Sequence, residues 1–258
     1  MSRFNNLEFG NESEDHARSL PGARNEERYL GEAETAYAAG RFEGALRAFS
    51  KALEFNPQNA AAWTGQVRAL IEMGEYREAK LWADKALEHF PNEAELLAAK
   101  AVALGRAGDL KAALAFSDAS VEERGDTPYI WLARGDVLLA CREHRANFCL
   151  EKALAMAPKD WLIAWLVARI RYYYREFSLA LKIAQQALTL DASRAVLWLQ
   201  VGQCQKALGL LGQAELSFEQ ARQLDRNCHE AHVALGELSR SGFWPRLIAR
   251  ARGWLAPR

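Results

Sequence analysis

The stretch AAWTGQVRALIEMGEYREAKLWADKALEHFPNEA, residues 61–94, decides the fold, because its pattern returns along most of the chain. Alanine recurs at spacings of 33 or 34 residues, and a second series of small residues follows seven positions behind it. The first series comprises Ala45, Ala79, Ala113, Ala146, Ala180 and Ala214. The second comprises Ala52, Ala86, Ser120, Ala153, Ala187 and Ala221. Two series in step indicate a repeat architecture and not a single globular core.

Each repeat reads as two helices. Apolar and small residues recur at helical spacing over residues 60–73 and again over 76–90. Glycine separates the two helices in four repeats, where the first helix needs a stop and a tight turn. These glycines are Gly40, Gly74, Gly108 and Gly209. A third series of small residues lies in the first helices, where it lets helix backbones approach each other closely. This third series comprises Ala33, Val67, Ala101, Gly135, Ala168, Gly202 and Gly236.

The second repeat carries, in order, a tryptophan, a turn glycine, an aromatic residue, two spaced alanines and a closing proline. These residues are Trp63, Gly74, Tyr76, Ala79, Ala86 and Pro91. With them the chain resembles the tetratricopeptide repeat family. The resemblance implies an all-α fold, a right-handed α-solenoid of about six helix pairs with a degenerate seventh repeat or a cap at the C-terminal end.

The repeat pattern divides the chain into three parts. A flexible tail is expected over residues 1–25, the solenoid over 26–240, and a basic amphipathic helix or cap over 241–258. The predicted repeats span 26–59, 60–93, 94–127, 128–160, 161–194 and 195–228, with the start of a seventh at 229–240. Repeats 4 and 5 lack the turn glycine, which leaves the geometry of those two turns open.

The family resemblance implies a non-catalytic protein that holds partner peptides or helices on a concave surface lined by the first helices. The inward positions predicted to contact a partner are Arg68, Arg106, Tyr129, Trp165, Arg169, Tyr172 and Lys206. Trp165, Arg169 and Tyr172 combine rings with positive charge, which is typical of interface anchors. We therefore expect a partner segment with acidic and apolar side chains. The alternative is that these rings pack against neighbouring helices.

The C-terminal segment has an unusual charge. From Arg240 to Arg258 there are five arginines and no acidic residue. A helix opened by Pro245 would carry on one face Leu247, Ile248, Ala251, Trp254 and Leu255. Such a helix suits contact with an anionic membrane or an acidic partner, through Arg246, Arg250 and Trp254. The other interpretation is a cap that covers the last apolar face of the repeats. The alternative function is accordingly a membrane-peripheral accessory subunit docked through this helix.

Composition and motifs argue against several other classes of protein. Half of the residues are hydrophobic, and 33 basic residues balance 33 acidic ones, so we expect a packed protein and no nucleic-acid partner. No phosphate-binding loop or nucleophile motif is present. The groups around Cys141–Cys149 and Cys228–His232 do not have the ligand spacing of a zinc site. The sequence therefore predicts no enzyme activity, no cofactor and no metal.

Cellular location is predicted from three features. The longest apolar run, residues 161–168, is shorter than the roughly 20 residues of a membrane span. The polar N-terminus does not have the pattern of a secretory signal. Four cysteines in 258 residues do not form a disulfide framework. We therefore expect reduced thiols and a cytoplasmic protein.

Overall fold

The computed structural model describes residues 21–240, which form α-helices joined by turns, with no strand in that range. The helices are α1 Pro21–Ala38, α2 Phe42–Phe55, α3 Ala60–Glu72, α4 Tyr76–His89, α5 Ala94–Ala107, α6 Leu110–Glu123, α7 Pro128–Ala140, α8 Ala146–Met156, α9 Trp161–Tyr173, α10 Phe177–Leu190, α11 Ala195–Ala207, α12 Leu211–Leu224 and α13, residues 229–240. None of the helices in this part of the chain is long and apolar enough to cross a membrane. The predicted all-α repeat fold is confirmed.

The chain divides into two compact bodies. The N-terminal body contains α1–α8, up to Pro158, and the C-terminal body begins at Lys159 and contains α9–α13. Within each body, consecutive helices pack as pairs, and first helices also pack against the first helix of the next pair, as α3 does on α5 and α9 on α11. Each pair thus contacts its neighbours, which is how a solenoid buries its apolar faces.

Helix α1 begins at Pro21, earlier than the predicted start of the first repeat at residue 26. Proline suits the first turn of a helix, because its fixed φ is already helical and its missing N–H would have had no partner there. Residues 21–25, which the sequence assigned to the tail, thus lie in α1, and the division of the chain into three parts stays a prediction. The remainder of that tail, residues 1–20, and the predicted C-terminal helix, residues 241–258, lie outside the described residues.

In three of the helix pairs, a tryptophan near the start of the first helix forms a hydrogen bond to the turn that precedes the helix. The indole N–H donates to the carbonyl six residues earlier, from Trp63 to Pro57 at 2.9 Å, Trp131 to Gly125 at 2.8 Å and Trp198 to Ala192 at 2.8 Å. In the fifth repeat the tryptophan comes one residue late, at Trp165. It is 2% exposed.

The turns that lack glycine have the same backbone conformation as those that have it. Gly40, Gly74, Gly108 and Gly209 have φ between 71° and 97°. In repeats 4 and 5 the equivalent residues are Arg142 and Arg175, with φ of 59° and 62°. The shared left-handed turn explains why the helix pairs keep their form there, although an arginine in this region is strained.

Small residues mark the points where paired helices cross. An added Cβ would lie 2.5 Å from Leu150 Cδ2 on Gly135 and 2.7 Å from Phe218 Cδ1 on Gly202. The two backbones can therefore come this close only because these positions carry no side chain.

Candidate partner-binding faces

Arg68 lies between two tyrosine rings in the N-terminal body. Its Cζ is 5.1 Å from the centroid of the Tyr37 ring on α1 and 4.0 Å from that of Tyr129 on α7. Both tyrosines are buried, and burial raises the pKa of Tyr129 above its usual value, so its phenol stays neutral. One partly buried guanidinium on α3 therefore contacts side chains from two other first helices.

Arg106 on α5 forms a buried ion pair with Asp136 on α7. Arg106 Nη2 and Nε lie 2.7 and 3.2 Å from Asp136 Oδ2, and the two side chains are only 6% and 2% exposed. Burial by itself would lower the pKa of Arg106, but the charges of Asp136 and Glu72 and the hydrogen bond to Asp136 together outweigh it and hold the pKa well above its usual value. The positive charge of Arg106 is thus neutralised inside the protein.

The N-terminal body therefore brings together three residues that the sequence assigned to a partner, Arg68, Arg106 and Tyr129. They lie on successive first helices, as the predicted register requires. Their side chains are largely occupied with one another and with Tyr37 and Asp136, which leaves little exposed surface. A role in partner contact stays a prediction for them.

In the C-terminal body, α9 presents Arg169 and Tyr172 as partly exposed side chains. Arg169 Cζ lies 5.1 Å from the centroid of the Trp165 ring, and the Tyr172 ring packs on Phe177 at 5.3 Å. Trp165 itself is 2% exposed, so its ring is packed inside the protein, and the guanidinium of Arg169 lies next to it. Of the predicted anchor, Arg169 and Tyr172 reach the surface.

Lys206 lies on α11, which packs against α9. Burial raises the pKa of Tyr172, and the positive charge of Lys206 acts in the opposite direction. Lys206 Nζ is 2.5 Å from Glu237 Oε2 on α13, and this hydrogen bond lowers the pKa of Glu237. Lys206 is 38% exposed, so one side of its charge remains open to solvent. Three first helices, α9, α11 and α13, thus contribute to one face.

The acidic partners of these cations were not predicted from the sequence. Asp136 and Glu237 follow Arg106 and Lys206 by 30 and 31 residues, slightly less than one repeat. A search for opposite charges at that spacing would have found both. The ion pair between the buried Arg171 and the partly exposed Glu176, at 2.5 Å, joins residues five positions apart and is visible only in the structure.

The predicted contacts in the C-terminal segment, Arg246, Arg250 and Trp254, lie outside the described residues. The four cysteines are free thiols, two partly exposed (Cys141 and Cys228) and two buried. Within residues 21–240 no three His, Cys, Asp or Glu side chains come close enough to hold a metal ion.

Comparison with known proteins agrees with this architecture. Residues 36–103 match the tetratricopeptide repeat family model, and no curated protein matches the chain. TTC0263, a thermophilic TPR protein of Thermus thermophilus, aligns with a TM-score of 0.50 at 18% identity, over 83% of this chain and 98% of that one. A chain of the APC/C hetero-tetramer Cut9–Hcn1 aligns with a TM-score of 0.50 at 17% identity, over 83% and 49%.

The human IFIT1 dimer with PPP-AAAA aligns with a TM-score of 0.51 at 20% identity, over 86% of this chain and 57% of that one. The chain thus spans about half the length of the Cut9–Hcn1 and IFIT1 chains that it resembles. At these identities the likeness shows the fold alone. The family match identifies residues 36–103 as tetratricopeptide repeats, and the helix pairs of residues 21–240 have the fold that these solved structures share.

Proposed function

We propose that this protein is a non-catalytic adaptor that binds a segment of another protein on helices α9 and α11 of its C-terminal body. Tetratricopeptide repeats generally mediate protein–protein interactions. The observation that carries the proposal is that Arg169 and Tyr172 on α9 and Lys206 on α11 are all partly exposed, on two first helices that pack against each other.

The chemistry of this face favours an acidic and apolar ligand. Arg169 and Lys206 supply positive charge, and the ring of Tyr172 supplies flat apolar surface beside them. A helix or extended peptide with one or two carboxylates next to a large apolar side chain would satisfy both. The inner face of the N-terminal body contrasts with it, because the charge of Arg106 is already neutralised by Asp136.

The proposal is tested by partner capture from the native cell with the full chain and two variants. In Arg169→Ala/Tyr172→Ala the partner contacts are removed, while Trp165 beneath them is kept. Binding of the true partner is expected to fall at least tenfold, since rings and arginines at interface centres typically contribute most of the affinity.

The matched control is Lys182→Ala, an exposed cation on α10 of the same body. It removes a positive charge from a second helix and should leave partner recovery unchanged. Equal recovery by wild type, by the double variant and by the control would refute the proposed face.

Three finer expectations stay predictions. The absence of a nucleic-acid partner is tested by titrating the chain with single-stranded RNA, where micromolar binding with a steep salt dependence would contradict it. The membrane-peripheral alternative depends on residues 241–258 and is tested by co-sedimentation with phosphatidylserine vesicles, which deletion of residues 241–258 should abolish. The cytoplasmic location is tested by cell fractionation.

A further inference from the structure

Arg68 takes the place that an acidic residue takes in two later repeats. Arg68, Asp136 and Glu237 each directly follow a member of the third small-residue series, so their positions are equivalent. Asp136 and Glu237 pair with a cation 30 or 31 residues earlier, on the preceding first helix. Arg68 follows Tyr37 by the same 31 residues and lies against its ring. A cation therefore meets an aromatic ring where later repeats join two opposite charges.

The charge of Arg68 is not neutralised by a close acid. Within residues 21–240 no carboxylate lies within 4.0 Å of its guanidinium, and the charge of Glu95 on α5 acts on it from beyond that distance. Tyr37 forms a hydrogen bond with Arg68, but a tyrosine phenol is neutral at pH 7. Tyr129 on the other side is neutral too, because burial raises its pKa. A largely enclosed cation without an opposite charge is costly.

One end of this guanidinium is within reach of a ligand. The Arg68 side chain is partly exposed, whereas its Nε is buried and has no hydrogen-bond partner among residues 21–240. A ligand therefore meets Nη1 and Nη2, the pair of nitrogens that binds an oxyanion through two parallel hydrogen bonds. Tyr37 and Tyr129, which are 6% and 7% exposed, lie against the guanidinium and leave room beside it only for a small molecule.

The surroundings favour an anion with one negative charge. The charge of Glu95 acts on both Arg68 and Tyr129, and the charge of Glu72 acts on Tyr129 as well. These carboxylates oppose a second negative charge on a ligand, so a dianion such as phosphate is disfavoured. A planar carboxylate with one charge, such as formate or acetate, fits the two nitrogens of the guanidinium and meets less repulsion.

We propose that the N-terminal body binds a small, singly charged oxyanion of the carboxylate class at Nη1 and Nη2 of Arg68, between Tyr37 and Tyr129. The anion supplies the opposite charge at a point where side chains from α1, α3 and α7 meet. Because it binds the folded body, it stabilises that body as its concentration rises. The site does not involve the partner face on α9 and α11, so either proposal can fail without the other.

Titration of the full chain with sodium formate at constant ionic strength tests the site, followed through the Nε–H signals of its ¹⁵N-labelled arginines. The signal of Arg68 is assigned by its loss in Arg68→Lys. It should shift and saturate with a dissociation constant of about 1–10 mM, as suits so small a ligand. The signal of Arg106, which is paired with Asp136, is the internal control and should stay in place. A signal of Arg68 that moves no more than that of Arg106 overturns the proposal.

Three further titrations test the class of ligand. Phosphate at pH 8 should bind at least about fivefold more weakly than formate, and Glu95→Gln should tighten formate binding about two- to tenfold. Glu88→Gln, which removes an exposed acid on α4, is the control and should leave the affinity unchanged. A capped Ala-Glu-Ala peptide should bind more weakly than formate, because its carboxylate is attached to a chain. Tighter binding of phosphate or of the peptide overturns the assignment to a small, singly charged anion.

Thermal unfolding gives a second measurement. Formate at about 50 mM should raise the unfolding midpoint of the wild type by about 2–6 °C relative to the same concentration of sodium chloride. Arg68→Met should lose this difference, whereas Arg77→Met, which removes an exposed arginine on α4, should keep it. Equal midpoints of the wild type in formate and in chloride overturn the proposal, and so does a difference that persists in Arg68→Met.

Discussion

At the scale of the residue, an inward-facing cation is available to bind a partner only where an acidic side chain of the next repeat has not already neutralised its charge. Arg106 and Lys206 occupy comparable positions on first helices, and each meets an acid about one repeat later. Asp136 is buried and pairs with a buried Arg106, whereas Glu237 is exposed and leaves Lys206 open on one side. This difference in burial is why we place the binding face in the C-terminal body.

Arg106→Ala leaves the Asp136 carboxylate buried without its cation. Breaking a buried ion pair from one side typically costs about 3–5 kcal/mol, so the free energy of unfolding should fall by that amount. Urea denaturation measures it. In Arg106→Met/Asp136→Leu both charges are gone, and most of the stability should return. A single variant that loses less than about 1 kcal/mol would show that Asp136 finds solvent or another donor.

At the scale of the element, the turn between paired helices is defined by its backbone and not by its glycine. Arg142 and Arg175 adopt the left-handed conformation that glycine adopts in four other turns. The packing of the two flanking helices imposes that conformation, since the free energy gained by burying their apolar surface exceeds the cost of the local strain.

Replacing Arg175 by glycine should relieve this strain and raise the free energy of unfolding by about 0.5–1 kcal/mol. The left-handed region costs a non-glycine residue about 1–2 kcal/mol, and part of the gain is offset by the greater freedom of glycine in the unfolded chain. Thermal unfolding measures the change. Lys182→Gly, in the middle of α10, serves as control and should lose about 1 kcal/mol. A loss in both variants would mean that the Arg175 turn is not strained.

At the scale of the whole molecule, the reactivity of the cysteine thiols depends on which of them the fold buries. Cys149 and Cys204 are buried, one in each body, whereas Cys141 and Cys228 are partly exposed. Burial raises the pKa of Cys204 to about 11, so very little of it is the reactive thiolate at pH 8.

A thiol-specific reagent at pH 8 should therefore react quickly with two cysteines of the native chain and with all four after unfolding. Time-resolved labelling followed by mass spectrometry of the peptides identifies the sites. Cys141→Ser/Cys228→Ser provides the control and should leave almost no fast reaction. Rapid labelling of Cys204 in the native state would show that the C-terminal body opens readily.

The sequence by itself determined the repeat length, the helix pairs and the resemblance to the tetratricopeptide repeat family, because periodic small residues and turn signals can be recognised from local sequence alone. It also placed Arg68, Arg106, Arg169 and Lys206 on first helices. Only the tertiary structure decided which of these charges is available. Burial and neutralisation depend on what the adjacent helix brings within 3 Å, as Asp136 does for Arg106, and that contact joins residues 30 positions apart. The spacing of residues in the sequence predicts which face of a helix a side chain lies on. Whether its charge is neutralised depends on the local dielectric and on a nearby partner, and both arise only when neighbouring repeats pack.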